Sequence, residues 1–118
     1  SETYLLRAEA YFHKGDLANA ANDINVVRGR AQAKPVQPGQ ISLDYILDER
    51  MRELVVEEPR RKTLVRLNKL YERTMKYNFR VKDNMEPYHE LWPIPQTAID
   101  ANTGAKLLQN PGYPGAAE

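Results

Sequence analysis

Cysteine is absent from all 118 residues. Disulfide frameworks, thiolate metal sites and cysteine nucleophiles are therefore excluded. The compartment stays open, because many exported proteins also lack cysteine. No apolar run approaches the roughly 20 residues that a membrane-spanning helix needs, and no secretory leader is visible. Charge of one sign is also lacking. Lys and Arg number 17 against 16 Asp and Glu, a formal +1, so the chain as a whole is not drawn to nucleic acid or anionic membrane. The two histidines, His13 and His89, lie far apart and neither has metal-ligand spacing. Without a phosphate loop, metal cluster or activated nucleophile, no catalytic, cofactor-binding or metal residue is expected, and the reading is of a non-enzyme.

What is present is helical periodicity. Tyr4, Leu5, Ala8, Tyr11 and Phe12 fall on one face of a first helix. Gly15 suits a left-handed C-terminal cap, and Asp16 suits the N-cap of the next helix. A second stripe runs through Leu17, Ala20, Ala21, Ile24 and Val27. Two amphipathic helices joined by so short a turn pack antiparallel. The pair has the small-large-turn pattern of a tetratricopeptide hairpin. One such unit leaves a face uncovered, which points to missing neighbours.

Gly29 and the stretch Gln32 to Gln40 read as a loop. Ser42 caps a third helix with apolar positions Leu43, Ile46, Leu47, Met51 or Arg50, and Leu54, ending or bending near Glu57. Pro59 opens a fourth helix that runs to about Tyr77 along Leu64, Leu67, Tyr71 and Met75. Beyond Asn78 periodicity stops. Trp92-Pro93 and Ile94-Pro95 enforce extended backbone. Gln96 to Ala101 allows one or two helical turns, Asn110-Pro111-Gly112 is ordered for a type II turn, and Pro114 to Glu118 is expected to fray. The fold expected is all-α: a tetratricopeptide-like hairpin over 1–31, a second helix pair over 42–78 and an irregular proline-rich tail over 79–118.

The acids Asp44, Asp48, Glu49, Glu53, Glu57 and Glu58 precede the cations Arg60, Arg61, Lys62, Arg66, Lys69, Arg73 and Lys76. Paired carboxylates for catalysis or a nucleic-acid face are weighed against the simpler outcome, charges paired within the chain. The simpler outcome is preferred. Arg50–Glu53 and Glu57–Arg61 are close enough to pair along the helices.

Three blocks carry a resemblance. The first is Tyr4-Leu5-Leu6-Arg7-Ala8-Glu9-Ala10-Tyr11 with Gly15-Asp16 and Asp23-Ile24-Asn25-Val26-Val27-Arg28. The second is Ile46-Leu47-Asp48-Glu49-Arg50-Met51-Arg52-Glu53-Leu54, followed by Glu57, Arg60-Arg61, Leu64 and Arg66. The third is Leu91-Trp92-Pro93-Ile94-Pro95, Ile99-Asp100-Ala101-Asn102 and Gln109-Asn110-Pro111-Gly112-Tyr113. In this order they resemble the C-terminal region of SusD/RagB proteins. One departure is Glu58-Pro59-Arg60-Arg61-Lys62, where the family commonly has a glycine-histidine-arginine-aromatic run.

The resemblance implies an outer-membrane lipoprotein of Bacteroidetes, exposed on the cell surface and free of catalytic activity. It implies capture of oligosaccharide or another nutrient beside a SusC-like TonB-dependent transporter. No cofactor and no nucleic-acid partner is expected. The family's aromatic platforms come mostly from elsewhere in the longer protein, so no ligand residue is carried over. Trp92 and Tyr88 are the candidates for stacking on a sugar. The competing role for Trp92 is a buried anchor for the proline segment, with Tyr113 as a second pin. The chain reads as one end of a longer protein, and self-association through an uncovered apolar face is expected. The alternative is a free-standing tetratricopeptide-like interaction module.

Overall fold

The computed structural model describes residues 1–117, with Lys82 described by its backbone alone. Of the stretch Pro114 to Glu118 expected to fray, Glu118 lies outside the described residues, while Gly115 O accepts from Gln109 N–H (3.4 Å) and Ala116 N–H donates to Tyr113 O (3.1 Å), so backbone bonds hold the chain there. The fold is all-α. Ser1–Pro59 and Arg60–Glu118 are two compact units, taken in turn.

In the first unit, α1 (Glu2–His13) and α2 (Leu17–Arg30) fold back on each other. Gly15 adopts φ +77°. Its N–H reaches Phe12 O (3.0 Å) and Asp16 N–H reaches Tyr11 O (2.9 Å), the double closure of a Schellman stop. Asp16 then caps α2, accepting from Asn19 N–H at 3.1 Å and from the Asn19 amide at 2.7 Å. The side-chain bond from Asn19, then the backbone one, hold the Asp16 carboxyl below its ordinary range. Leu5, Ala8, Ala20, Ala21, Ile24 and Val27 form the buried seam. Each fully buried Leu or Ile contributes about 1.5–3 kcal/mol. Arg7 clamps Asp23 with two bonds of 2.7 Å, and that contact raises the guanidinium pKa further above its ordinary value.

Gly29, expected in a loop, lies inside α2. A helical glycine costs only about 0.5–1 kcal/mol, and the stop comes later. Gln32 takes φ +53°, with Gln32 N–H on Gly29 O and Ala33 N–H on Arg28 O, both 3.0 Å. The following loop is pinned by Asn25, whose amide accepts from Val36 N–H (2.8 Å) and donates to Val36 O (2.9 Å). Val36 is thereby held in the core.

Ser42 caps α3 (Leu43–Glu53) as read, its hydroxyl accepting from Tyr45 N–H at 3.1 Å. This helix packs on α1 and α2 with Ile46 and Leu47 fully buried. Two of its acids find partners inside the unit: Glu49 accepts from Arg28 (2.8 Å) and Arg52 (2.6 Å), and Glu53 pairs with Arg30. Arg50, not Met51, is the inward residue. It bonds Glu58 at 2.7 and 2.9 Å rather than Glu53, both side chains being under 5% exposed. The helix ends at Glu53 with Leu54 as its C-cap, short of the expected Glu57. Val56 there takes φ +72° and is 97% exposed.

In the second unit, the single helix expected from Pro59 to Tyr77 is two: α4 (Arg60–Arg66) and α5 (Leu70–Tyr77). Asn68 breaks them at φ +54°, with Asn68 N–H on Val65 O (3.0 Å) and Lys69 N–H on Leu64 O (2.8 Å). This is again a Schellman stop, built here on asparagine. Thr63, Leu64 and Leu70 are buried. The tail contains 3₁₀ turns at Lys82–Asn84 and Pro87–Glu90 and the short helix α6 (Gln96–Ala101), ending at Asn102 as expected.

Candidate functional site

The candidate residues Tyr88 and Trp92 both lie in the tail of the second unit. Pro93 and Pro95 have no N–H, so the segment between them cannot join a regular ladder. Side chains take over that work. Gln109 Oε1 accepts from Ile94 N–H (2.6 Å) while its Nε2 donates to Ile94 O (2.8 Å). Asn110 Nδ2 donates to Trp92 O (2.7 Å), and the Tyr113 hydroxyl donates to Leu91 O (2.9 Å). A primary amide carries the same donor and acceptor as a peptide group. Gln109 therefore acts as a one-residue strand partner for Ile94.

The residues supplying these bonds are positioned by the Asn110–Tyr113 turn. Tyr113 N–H reaches Asn110 O at 3.3 Å, Pro111 occupies the second position and Gly112 the third at φ +87°, as a type II turn requires. Gly112 meets a second constraint. A Cβ at this position would fall 2.3 Å from Tyr88 Cγ. The turn backbone lies directly against the Tyr88 ring, which also meets Tyr113 edge-on with centroids 5.0 Å apart and His89 at 4.3 Å.

Neighbouring polar groups are also bonded to backbone. His89 Nδ1 accepts from Glu86 N–H at 2.9 Å, closing its own 3₁₀ turn. Glu90 Oε1 accepts from Tyr71 N–H at 3.1 Å, satisfying a free donor in the first turn of α5. Arg61 Nη2 donates to His89 O at 2.9 Å. The Arg61 guanidinium lies 4.2 Å from the Trp92 ring centroid, close enough for cation–π attraction.

Trp92 is 72% exposed. The buried-anchor role expected for it is therefore not the one observed. The reason is local: the bonds from Gln109, Asn110 and Tyr113 hold the segment by its backbone and leave the indole free to project. Tyr113 does serve as a pin. Sequence pattern alone gives the amides of Gln109 and Asn110 no individual role. Their signal was two amides at a fixed distance from a segment with too few N–H groups.

The first unit holds a cleft of about 380 Å³ lined by Ser1, Glu2, Arg30, Glu53, Leu54, Glu57 and Glu58. Glu53 is engaged there by the Ser1 hydroxyl and Arg30, contacts that hold its carboxyl below the ordinary range against the opposing push of burial. Among the described residues no group of three or more His, Asp or Glu could hold a metal ion. No described helix is long and apolar enough to cross a membrane.

The family model of the SusD family matches residues 1–113. No curated protein and no solved structure matches the chain. The family match runs through the helical hairpin, the charged α3 and the amide-braced proline segment alike, and on that extent the chain belongs to the SusD family.

Proposed function

We propose that this chain is a non-catalytic helical scaffold in a cell-surface lipoprotein that binds oligosaccharide or another nutrient and delivers it to a SusC-like TonB-dependent transporter. Membership of the SusD family carries this reading. The family's general character is that of a nutrient-binding lipoprotein associated with the outer membrane. The tail geometry supports the scaffold role. Gln109, Asn110, Tyr113, His89, Glu90 and Arg61, the polar groups around the proline segment, all bond backbone. Groups committed in this way hold shape rather than turn over substrate.

Of the two aromatic candidates, Tyr88 is enclosed by Gly112, Tyr113 and His89, and its part is structural. Trp92 projects with Arg61 beside one face, and it is the side chain we assign to sugar contact. An apolar indole face suits the C–H surface of a pyranose. Trp92 is the one tryptophan, so its emission reports on this position alone. Titration with neutral and acidic oligosaccharides should give a saturable emission change that Trp92→Phe abolishes. The transporter partnership is tested separately, by affinity purification of the tagged lipoprotein from detergent-extracted outer membranes. Recovery without a TonB-dependent transporter, together with flat titrations, would remove the proposal.

A further inference from the structure

Arg61 is held differently from the arginines of the first unit. Arg7, Arg28, Arg30, Arg50 and Arg52 each close on a carboxylate. Arg61 closes on peptide carbonyls: Nη2 donates to His89 O at 2.9 Å and, more weakly, to Glu90 O at 3.4 Å. A carbonyl fixes the direction of a guanidinium without cancelling its charge. Nε and Nη1 carry the remaining N–H groups. They have no partner among the described residues, and neither is sealed from solvent. No described carboxylate pairs with Arg61. That of Glu90, whose carbonyl it touches, is turned to Tyr71 N–H instead. Glu57 shares no helix with it, since α3 ends at Glu53 and α4 begins at Arg60. At 4.2 Å from the ring centroid of Trp92, the guanidinium can only lie over a face of the indole, because an approach in the ring plane would collide with the ring edge. One face is thus taken by a cation. The ring is 72% exposed, which leaves the other face open. Both groups are fixed through backbone, Trp92 by Asn110 on its carbonyl and Arg61 by the carbonyl of His89.

We propose that the Trp92–Arg61 pair selects acidic oligosaccharides, those whose sugars carry a carboxylate or a sulfate ester. The proposal rests on the assignment of Trp92 to sugar contact and narrows it. One pyranose lies on the open indole face. The acidic group of the adjoining sugar passes the indole edge and accepts from the free N–H groups of Arg61. A neutral chain makes only the first contact, and a small anion only the second. A bond to a charged group is about twice as strong as one between neutral groups. Because Arg61 is already oriented, little further ordering is needed to form it. The contact lies at the surface, so salt weakens it. The difference between a charged and a neutral hydrogen bond corresponds to about a tenfold preference for the acidic chain.

The test changes the ligand before it changes the protein. Trp92 emission of the whole chain is titrated with a galacturonate tetramer and with the same tetramer after carboxyl reduction. In parallel it is titrated with a sulfated galactan tetramer and its desulfated form. The acidic member of at least one pair is expected to bind about tenfold tighter than its neutral twin, and the preference should shrink as salt rises. The pair in which it appears tells carboxylate from sulfate. Arg61→Gln should abolish the preference. Arg61→Lys should restore part of it, because an ammonium keeps the charge and loses the planar fork. Far-UV circular dichroism reports whether either variant is folded, and the comparison within each ligand pair on the unchanged chain needs neither. Saturable binding with equal affinity inside both pairs would overturn this proposal and leave the sugar contact standing. A preference that survives Arg61→Gln in full would overturn it too. Flat titrations with all four tetramers would remove the sugar contact itself, and this inference with it.

Discussion

Gly112→Ala tests the tail architecture at the point where two constraints meet. At φ +87°, an alanine's left-handed backbone costs about 1–2 kcal/mol. Its Cβ would also stand 2.3 Å from Tyr88 Cγ, a separation that no rotation of the ring about Cβ–Cγ relieves. Tyr88 must move, or the turn must open. Either movement gives up the edge-on contact with Tyr113, worth about 0.5–1.5 kcal/mol. It also weakens the Tyr113 hydroxyl bond to Leu91 O, worth about 0.5–1.5 kcal/mol. The total is a loss of about 2–5 kcal/mol from the second unit.

Urea unfolding followed by Trp92 emission is the suitable assay, because the Trp92 carbonyl is held by Asn110 and so the indole senses release of the tail. Gly104→Ala is the control: its φ is not positive and nothing lies within 4 Å of the added carbon, so its effect should stay within about 0.5 kcal/mol. Tyr88→Ala in the Gly112→Ala background removes the clash but not the backbone cost. The two substitutions together should therefore lose less than the sum of their separate losses. A Gly112→Ala protein as stable as the Gly104→Ala control, or strict additivity with Tyr88→Ala, would refute the close-approach argument.

Three further outcomes are expected. Arg50→Met leaves Glu58 without its guanidinium in a buried position and should cost about 3–5 kcal/mol, much of it regained when Glu58→Leu is added; chemical denaturation of the three proteins checks this. Val56→Gly should stabilise the first unit by about 0.5–1 kcal/mol, because it relieves a left-handed β-branched residue whose side chain is 97% exposed, and a lower midpoint would show that Val56 makes contacts the free chain needs. The Asp16 carboxyl is depressed below 3.8 on folding, so its contribution is present above that value and lost as pH falls through the folded-state pKa. Asp16→Asn keeps a capping oxygen without the titration, so the melting temperature of the native chain relative to this variant should fall on acidification below about pH 4 and stay constant near neutrality.

The hairpin was legible because each signal there is local. The Gly15 stop, the Asp16 cap and the Leu17-to-Val27 stripe act within a few residues, and local hydrogen bonds close them as written. The tail's turn at Asn110-Pro111-Gly112 and its short helix to Asn102 were legible for the same reason. The break at Asn68 was not, since the stripe Leu64, Leu67, Tyr71 stays in phase across it. An asparagine can adopt φ +54° with little penalty, and periodicity does not register that. Periodicity offers Arg50 only as an alternative to Met51, because its inward direction depends on Glu58 beyond the end of the helix. Size alone argues for burying Trp92. Large aromatic residues bury when nothing else holds their segment, and here three polar side chains do.

That last case bears on how the candidate site should be read. Glutamine, asparagine, tyrosine, histidine, glutamate and arginine within a short span have the look of a reactive centre. The prolines at 93 and 95 explain them otherwise: a segment deprived of N–H donors still presents carbonyls, and a buried or half-buried carbonyl without a donor costs about 1–3 kcal/mol. Bonding Leu91, Trp92 and Ile94 through side chains offsets that cost and fixes the direction in which the indole leaves the surface. Polarity in this tail therefore serves shape. The ring that this bracing leaves in solvent is Trp92, with the Arg61 guanidinium beside it, and it is the side chain that the proposed sugar contact would use.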